Sequence, residues 1–146
     1  LLKDRDYLVL AEGNDESNHS AEKYFIDEGD VGNNLPVDVT ITTEAYTPQF
    51  EIKKNRAIIH CDKDTLTFPL TLRRWKKGDW FIPFGMKGKK KLSDYFSDNK
   101  FSLFDKEETW VLLSGEKIVW LVNHRADNRF RITADTKTVY TLRLNK

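Results

Sequence analysis

The chain of 146 residues has one cysteine, Cys61, and one methionine, Met86. A lone thiol excludes an intramolecular disulfide framework and fits a reducing compartment. No apolar run approaches the roughly 20 residues that a bilayer-crossing helix needs, and no charged-then-apolar leader stands at the start. With 32% charged residues, the composition excludes a membrane protein, and a cytoplasmic location is expected. Metal-ligand spacing is also lacking, because His19, His60, His124 and Cys61 stand at no recognised interval. His60 and Cys61 are neighbours, so on a strand they face opposite sides and cannot converge as a nucleophile and its base. There is no phosphate loop, no hydrolase elbow, and no set of converging carboxylates that a nuclease would require. No catalytic residue, metal or cofactor is therefore expected in this chain.

Charge is present in abundance but unevenly placed. Residues 1–30 hold nine acids against Lys3, Arg5 and Lys23, a balance of −6, so the formal net charge of +1 leaves +7 on the remainder. The surplus concentrates in Arg73–Lys91, where Arg73, Arg74, Lys76, Lys77, Lys87, Lys89, Lys90 and Lys91 face a single acid, Asp79. Two basic clusters flank an aromatic stretch, Trp80–Phe84, followed by Gly85 and Gly88. Holding cations together costs self-repulsion that a polyanion relieves, so this stretch is the candidate reader of a phosphate backbone.

Periodicity places that stretch in a strand-rich chain. Short apolar runs at Tyr7–Ala11, Tyr24–Ile26 and Ala57–Cys61 predict strands, Val37–Thr43 alternates with the two-residue strand period, and polar turn formers fill Gly13–Ser20 and Gly29–Asn34. Leu70–Leu72 leads into the basic stretch, Lys77-Gly78-Asp79 predicts a tight turn, and Pro83 confines Trp80–Phe84 to an edge or strand end. Leu92, Tyr95 and Phe96 fall on one side of a short helix that begins beside Lys89, Lys90 and Lys91. Ser102 followed by Asp105 is a capping pattern for a second helix reaching about Thr109. Trp110–Leu113 and Ile118–Val122, joined through Ser114–Lys117, predict a hairpin; Phe130–Ile132 and the alternating Val139–Leu144 close the chain. The expected fold is α+β, a strand-rich mixed sheet or sandwich with two short helices in the C-terminal half. Residues 1–66 are read as a strand-rich leading segment, and 67–146 as the domain carrying the basic stretch. The chain opens on Leu1 and is read as a piece of a longer protein.

Leu72–Phe96 resembles the C-terminal signature of bacterial tRNA(Ile)-lysidine synthetase (the TilS family), R-x-x-x-G-D-x-[FI]-x-P-x-G followed by lysines and a short helix. Arg74, Gly78, Asp79, Pro83, Gly85, Lys87, Lys89, Lys90 and Leu92 coincide with it; the likeness is strong over about 70–133 and weaker before Thr65. Phe101, Ser102, Lys106 and Trp110 depart from the family pattern. The resemblance implies a tRNA-binding module, similar in architecture to a domain of the phenylalanyl-tRNA synthetase β subunit, that holds an isoleucine tRNA by its acceptor-stem side. The parent enzyme would use ATP and Mg2+ to activate an anticodon cytidine and attach lysine, through a Ser-Gly-Gly-x-Asp-Ser loop absent here. Partners so implied are tRNA and the parent's N-terminal catalytic domain, with a homodimer left open.

On this reading Arg73, Arg74, Lys76, Lys87, Lys89, Lys90 and Lys91 are the candidate tRNA-binding residues, whereas Gly78, Asp79, Pro83 and Gly85 shape the turns. Trp75, Trp80, Phe81 and Phe84 fit core packing better than base stacking. Arg125, Arg129 and Arg131 form a secondary basic group of unread orientation. The alternative is a protein-interaction domain whose aromatic stretch docks on the catalytic region or a second subunit.

Overall fold

Trp110–Ser114 is a run of residues buried on both faces, and the strands around it take their positions from it. A computed structural model describes residues 23–28 and 35–145; the strand expected at Tyr7–Ala11, the loop at Gly13–Ser20 and the turn at Gly29–Asn34 lie outside them. Among the described residues, β1 (Lys23–Ile26), β2 (Val39–Ala45), β3 (Ile58–Asp62), β4 (Leu70–Arg74), β5 (Trp80–Phe81) and β6 (Lys90–Lys91) precede the helices α1 (Leu92–Asp98) and α2 (Leu103–Glu107). Then follow β7 (Trp110–Ser114), β8 (Lys117–Leu121), β9 (Arg125–Ala126) and β10 (Thr138–Leu144). The strands form a five-stranded sheet β1-β4-β7-β8-β9, a three-stranded sheet β2-β10-β3 and the ribbon β5-β6. Every pairing is antiparallel, and the strand-rich α+β reading with two short late helices is borne out.

Strand β7 explains the layering. All five of its residues are buried, and their alternation sends Trp110 and Leu112 into one core and Val111 and Leu113 into another. The larger core joins the five-stranded sheet to the β2-β10-β3 sheet through Ile26, Val39, Leu72, Trp120, Tyr140 and Leu142. The smaller core lies under α1, where Leu92, Tyr95 and Phe96 meet Phe81, Val111 and Leu121. A register shift between Leu112 and Leu113 leaves Val119 as an extra residue in β8. Both Val119 and Trp120 consequently enter the larger core, and the Val119 carbonyl accepts the Asp127 amide at 2.8 Å.

Strands from 1–66 pair with strands from 67–146: β1 lies against β4, while β10 runs between β2 and β3. Two local expectations change. Ser114 and Lys117 pair, so the hairpin turn is the two-residue Gly115-Glu116 and not a four-residue connection. Phe130 ends a 3-10 turn, Asn128–Phe130, and buries its ring in the larger core, so Phe130–Ile132 adds no strand. The capping box at Ser102 forms in full, with Asp105 N donating to Ser102 Oγ at 3.0 Å and Ser102 N to Asp105 Oδ2 at 2.9 Å.

Candidate nucleic-acid interface

Two turns of the same design bracket the aromatic stretch. Asp79 N donates to Lys76 O at 3.1 Å and Met86 N to Pro83 O at 2.8 Å; each places glycine third, Gly78 at φ +96° and Gly85 at φ +89°. That left-handed backbone is open to glycine at little cost and strained for other residues. Between them Trp80 pairs with Lys91 and Phe81 with Lys90, so a hydrophobic strand fixes the strand that carries the lysines. Leu92 N then donates to Asp79 O at 3.0 Å, tying the start of α1 to the first turn.

A buried ion pair holds each end of this ribbon. At the first turn Arg73 donates Nη1 to Asp79 Oδ2 at 2.9 Å and Nη2 to Oδ1 at 3.0 Å, with side chains only 8% and 9% exposed. Asp79 Oδ2 also accepts Lys76 N at 2.8 Å. At the second, Asp127 is fully enclosed and accepts Ile82 N at 2.9 Å, Arg129 N at 2.7 Å and the Arg129 guanidinium at 2.8 and 3.0 Å. Around it Phe84 N donates to Ala126 O at 2.9 Å, Gly85 N to Asn128 Oδ1 at 3.1 Å and Arg125 Nη2 to Phe84 O at 2.7 Å. Loop Ile82–Gly85 is thus stitched along 125–128.

The structure divides the sequence-predicted cations. Arg73 is 6% exposed and committed to Asp79, so it shapes the turn and cannot reach a ligand. Arg74 is half-buried, gives Nη1 to the Glu107 carbonyl and lies 4.7 Å from the Trp110 ring centre. Together with Trp75, whose Nε1 donates to Lys106 O at 2.8 Å, it satisfies the last carbonyls of α2. Lys90 is half-buried and pairs with Asp98. Lys76, Lys77, Lys87, Lys89 and Lys91 are exposed, and none has an ion-pair partner among the described residues. Asp79, Asp127 and Asp98 are engaged by Arg73, Arg129 and Lys90, which leaves these five lysines to solvent.

Trp80 is no base-stacking platform. Lys89 Nζ lies 4.4 Å and the Arg129 guanidinium carbon 4.8 Å from its ring centre, so cations already cover it. Phe81 is fully buried while Phe84 is 53% exposed. Gly78, Asp79, Pro83 and Gly85 all sit in the turn machinery. Asp127, whose partner is Arg129, carries no sequence motif, and the Asp-x-Arg spacing is the one signal that points to the pair. The run Lys53-Lys54-Asn55-Arg56 was likewise visible but carried no motif.

His60 and Cys61 face apart, as strand alternation requires. Cys61 is buried, and burial pushes its thiol up to about 12. His60 Nε2 accepts Lys53 N at 2.9 Å, which leaves the proton on Nδ1 to be donated to Thr141 Oγ1 at 2.9 Å. Burial holds its pKa below 6.5 against an opposing Glu44, with smaller lowering effects from Lys53 and Arg143. A lowered histidine pKa means the unfolded chain takes up the proton first, so this contribution to stability is complete above the unfolded value and lost as pH falls through the folded one. Thermal melts from pH 7.5 to 5 should therefore show the stability advantage of the parent chain over His60→Gln shrinking on acidification. An advantage independent of pH would contradict the neutral tautomer.

These features define a class before they define a family: a strand-rich, antiparallel α+β domain with two short helices. The fold is similar to "Crystal structure of TILS C-terminal domain", with TM-score 0.64 at 18% identity over 85% of this chain and 97% of that one. It is also similar to an N-terminal fragment of the phenylalanyl-tRNA synthetase β subunit from Pyrococcus horikoshii, with TM-score 0.52 at 21% identity over 60% of this chain and 28% of that one. Such identities establish fold alone. In sequence, residues 70–144 match the family model described as the TilS substrate C-terminal domain. The tRNA(Ile)-lysidine synthase of Parabacteroides distasonis is 52% identical over 140 residues, covering 95% of this chain and 31% of that protein. That of Bacteroides thetaiotaomicron is 48% identical over 105 residues, 72% of this chain and 25% of that protein. The chain belongs to the TilS C-terminal domain family, and it spans less than a third of the length of these relatives.

Proposed function

We propose that this chain is the tRNA-binding module of a cytoplasmic tRNA(Ile)-lysidine synthase, holding tRNA by its acceptor-stem side while lysine is joined to the anticodon cytidine by a separate catalytic domain. The observation that carries this reading is the ribbon with its two flanking turns, whose exposed lysines Lys76, Lys77, Lys87, Lys89 and Lys91 have no ion-pair partners among the described residues. Lysine ammonium groups on β6 and on the turns that flank the ribbon offer point charges to phosphate rows and little hydrogen-bonding that tells one base from another. Recognition should follow the shape of an A-form backbone. No helix among the described residues is long and apolar enough to cross a membrane.

ATP and Mg2+ are assigned to the parent's catalytic domain. Among the described residues no three His, Cys, Asp or Glu side chains converge as metal ligands, and the phosphate-binding Ser-Gly-Gly-x-Asp-Ser loop is not in this sequence. No chemical step is placed on this chain.

The test is binding of labelled tRNA to the 146-residue chain across a salt series. Neutralising about 3–5 phosphates gives a log–log slope of about −2 to −4. Changing Lys87, Lys89 and Lys91 together to Ala should flatten that slope by about 2 to 3 without lowering the melting temperature, because all three are exposed. An unchanged slope sinks the assignment.

A second reading rests on α2, where Leu103 and Phe104 are 73% and 68% exposed. Adjacent apolar groups so open to water suit contact with the remainder of the longer enzyme or a second subunit. It concerns a different surface, and Leu103→Ser with Phe104→Ser would weaken docking to the catalytic domain while leaving the salt slope of tRNA binding alone.

A further inference from the structure

A second cationic surface lies beside the ribbon. The segment before β3, β3 itself and the Phe84 end of the ribbon loop enclose an open groove of about 470 Å³. Its floor is apolar, formed by Ile52, Ile58, Phe84 and Ile132, and Ile52 and Phe84 are 52% and 53% exposed. Its rim carries Lys53, Lys54, Arg56 and Arg125, and no carboxylate lines it. Glu51, just outside, meets Lys53 at 3.1 Å; Lys54 and Arg56 have no ion-pair partner among the described residues. The rim's field is felt inside: after burial, Arg56 is the next influence holding the His124 pKa down, against an opposing Asp105. The wall is built and held in place, since His60 accepts the Lys53 amide at 2.9 Å and packs edge-on against Phe50, ring centres 5.2 Å apart.

Phe84 is three residues from Lys87, so their Cα atoms lie within about 11 Å, and groove and ribbon adjoin. Resting on the RNA reading of that ribbon, we infer that the groove receives unpaired nucleotides that continue from a duplex held on the ribbon, with bases against Phe84 and the isoleucine floor and phosphates against Lys54 and Arg56. An unpaired nucleotide is the ligand that matches both halves of the surface, because it joins a flat, poorly hydrated base to an obligatory anion. An acidic peptide would satisfy the rim and leave the floor wet. An apolar segment would cover the floor and strip water from Lys54 and Arg56 without pairing them.

The experiment compares RNA hairpins of one stem sequence, blunt or carrying a short unpaired extension at either end, for binding to the 146-residue chain at fixed salt. An extension at one end should tighten binding about tenfold. Phe84→Ala and Arg56→Ala, both at exposed side chains, should each abolish that gain and leave blunt-hairpin affinity unchanged. Equal affinity for blunt and extended hairpins overturns the groove while the ribbon stands, as does a gain that survives both variants. No binding of any hairpin overturns ribbon and groove together. Polyglutamate bound in an Arg56-dependent way, with no gain from an extension, replaces the nucleotide by an acidic peptide and overturns the inference.

Discussion

Asp79→Ala is expected to destabilise the domain by about 3–5 kcal/mol, the loss typical when one partner of a buried ion pair is removed. The cause is what stays behind. Arg73 sits in a site where its side chain is 8% exposed, and without the carboxylate two guanidinium N–H bonds and the Lys76 amide lose their acceptor. Water cannot replace it without opening the turn. Denaturant unfolding of parent and variant gives the number, and the double variant Arg73→Met/Asp79→Ala should recover much of the loss, since a neutral isostere no longer needs a counter-charge. A single variant within about 1 kcal/mol of the parent would show that water reaches Arg73 after all.

Asp127→Ala should follow closely, at about 3 kcal/mol. Its carboxylate is enclosed and takes two backbone amides as well as the Arg129 guanidinium, but Arg129 is 23% exposed and can turn to solvent once released, so the orphaned charge costs less. The local effect should exceed the global one. Loop Ile82–Gly85 loses the Asp127 staple at Ile82 N, and Arg129 leaves the Trp80 ring. Hydrogen exchange at Ile82 and Arg129 amides should accelerate strongly, with Asp127→Asn intermediate because it keeps an acceptor for Ile82. Unchanged protection in the alanine variant would mean that the strand bridge between Pro83 and Asp127 holds the loop unaided.

Sequence periodicity carried far in the regular elements, because there burial and pattern coincide. Leu92, Tyr95 and Phe96 could only be one face of a short helix, and they enter the smaller core. Val37–Thr43 alternated and became β2, shifted to Val39–Ala45, since its start is decided by pairing with distant β10 and not by its own residues. Gly78 and Gly85 were legible as turns from local chemistry alone. The fate of the charges was not. Arg73 and Lys76 look alike in composition, yet one is a buried strut and the other lies in water, because the alternation of β4 turns Arg73 toward Asp79 across a hairpin-like return that no local rule specifies. The departures from the family pattern at Phe101, Lys106 and Trp110 also resolve only in three dimensions. Phe101 stacks on Phe96 with ring centres 4.8 Å apart and Trp110 lies under Arg74, so both serve packing, whereas at Lys106 the main-chain carbonyl receives Trp75 and nothing in the structure explains the lysine.

The ribbon's fastening at both ends has a kinetic meaning. A loop that had to be frozen by its ligand would charge that ordering against every encounter, and would slow productive docking. Here the turn before Lys87 and the strand after Lys89 are already hydrogen-bonded in the fold, so on the proposed reading the capture of a polyanion should be governed by ionic strength more than by rearrangement of the protein.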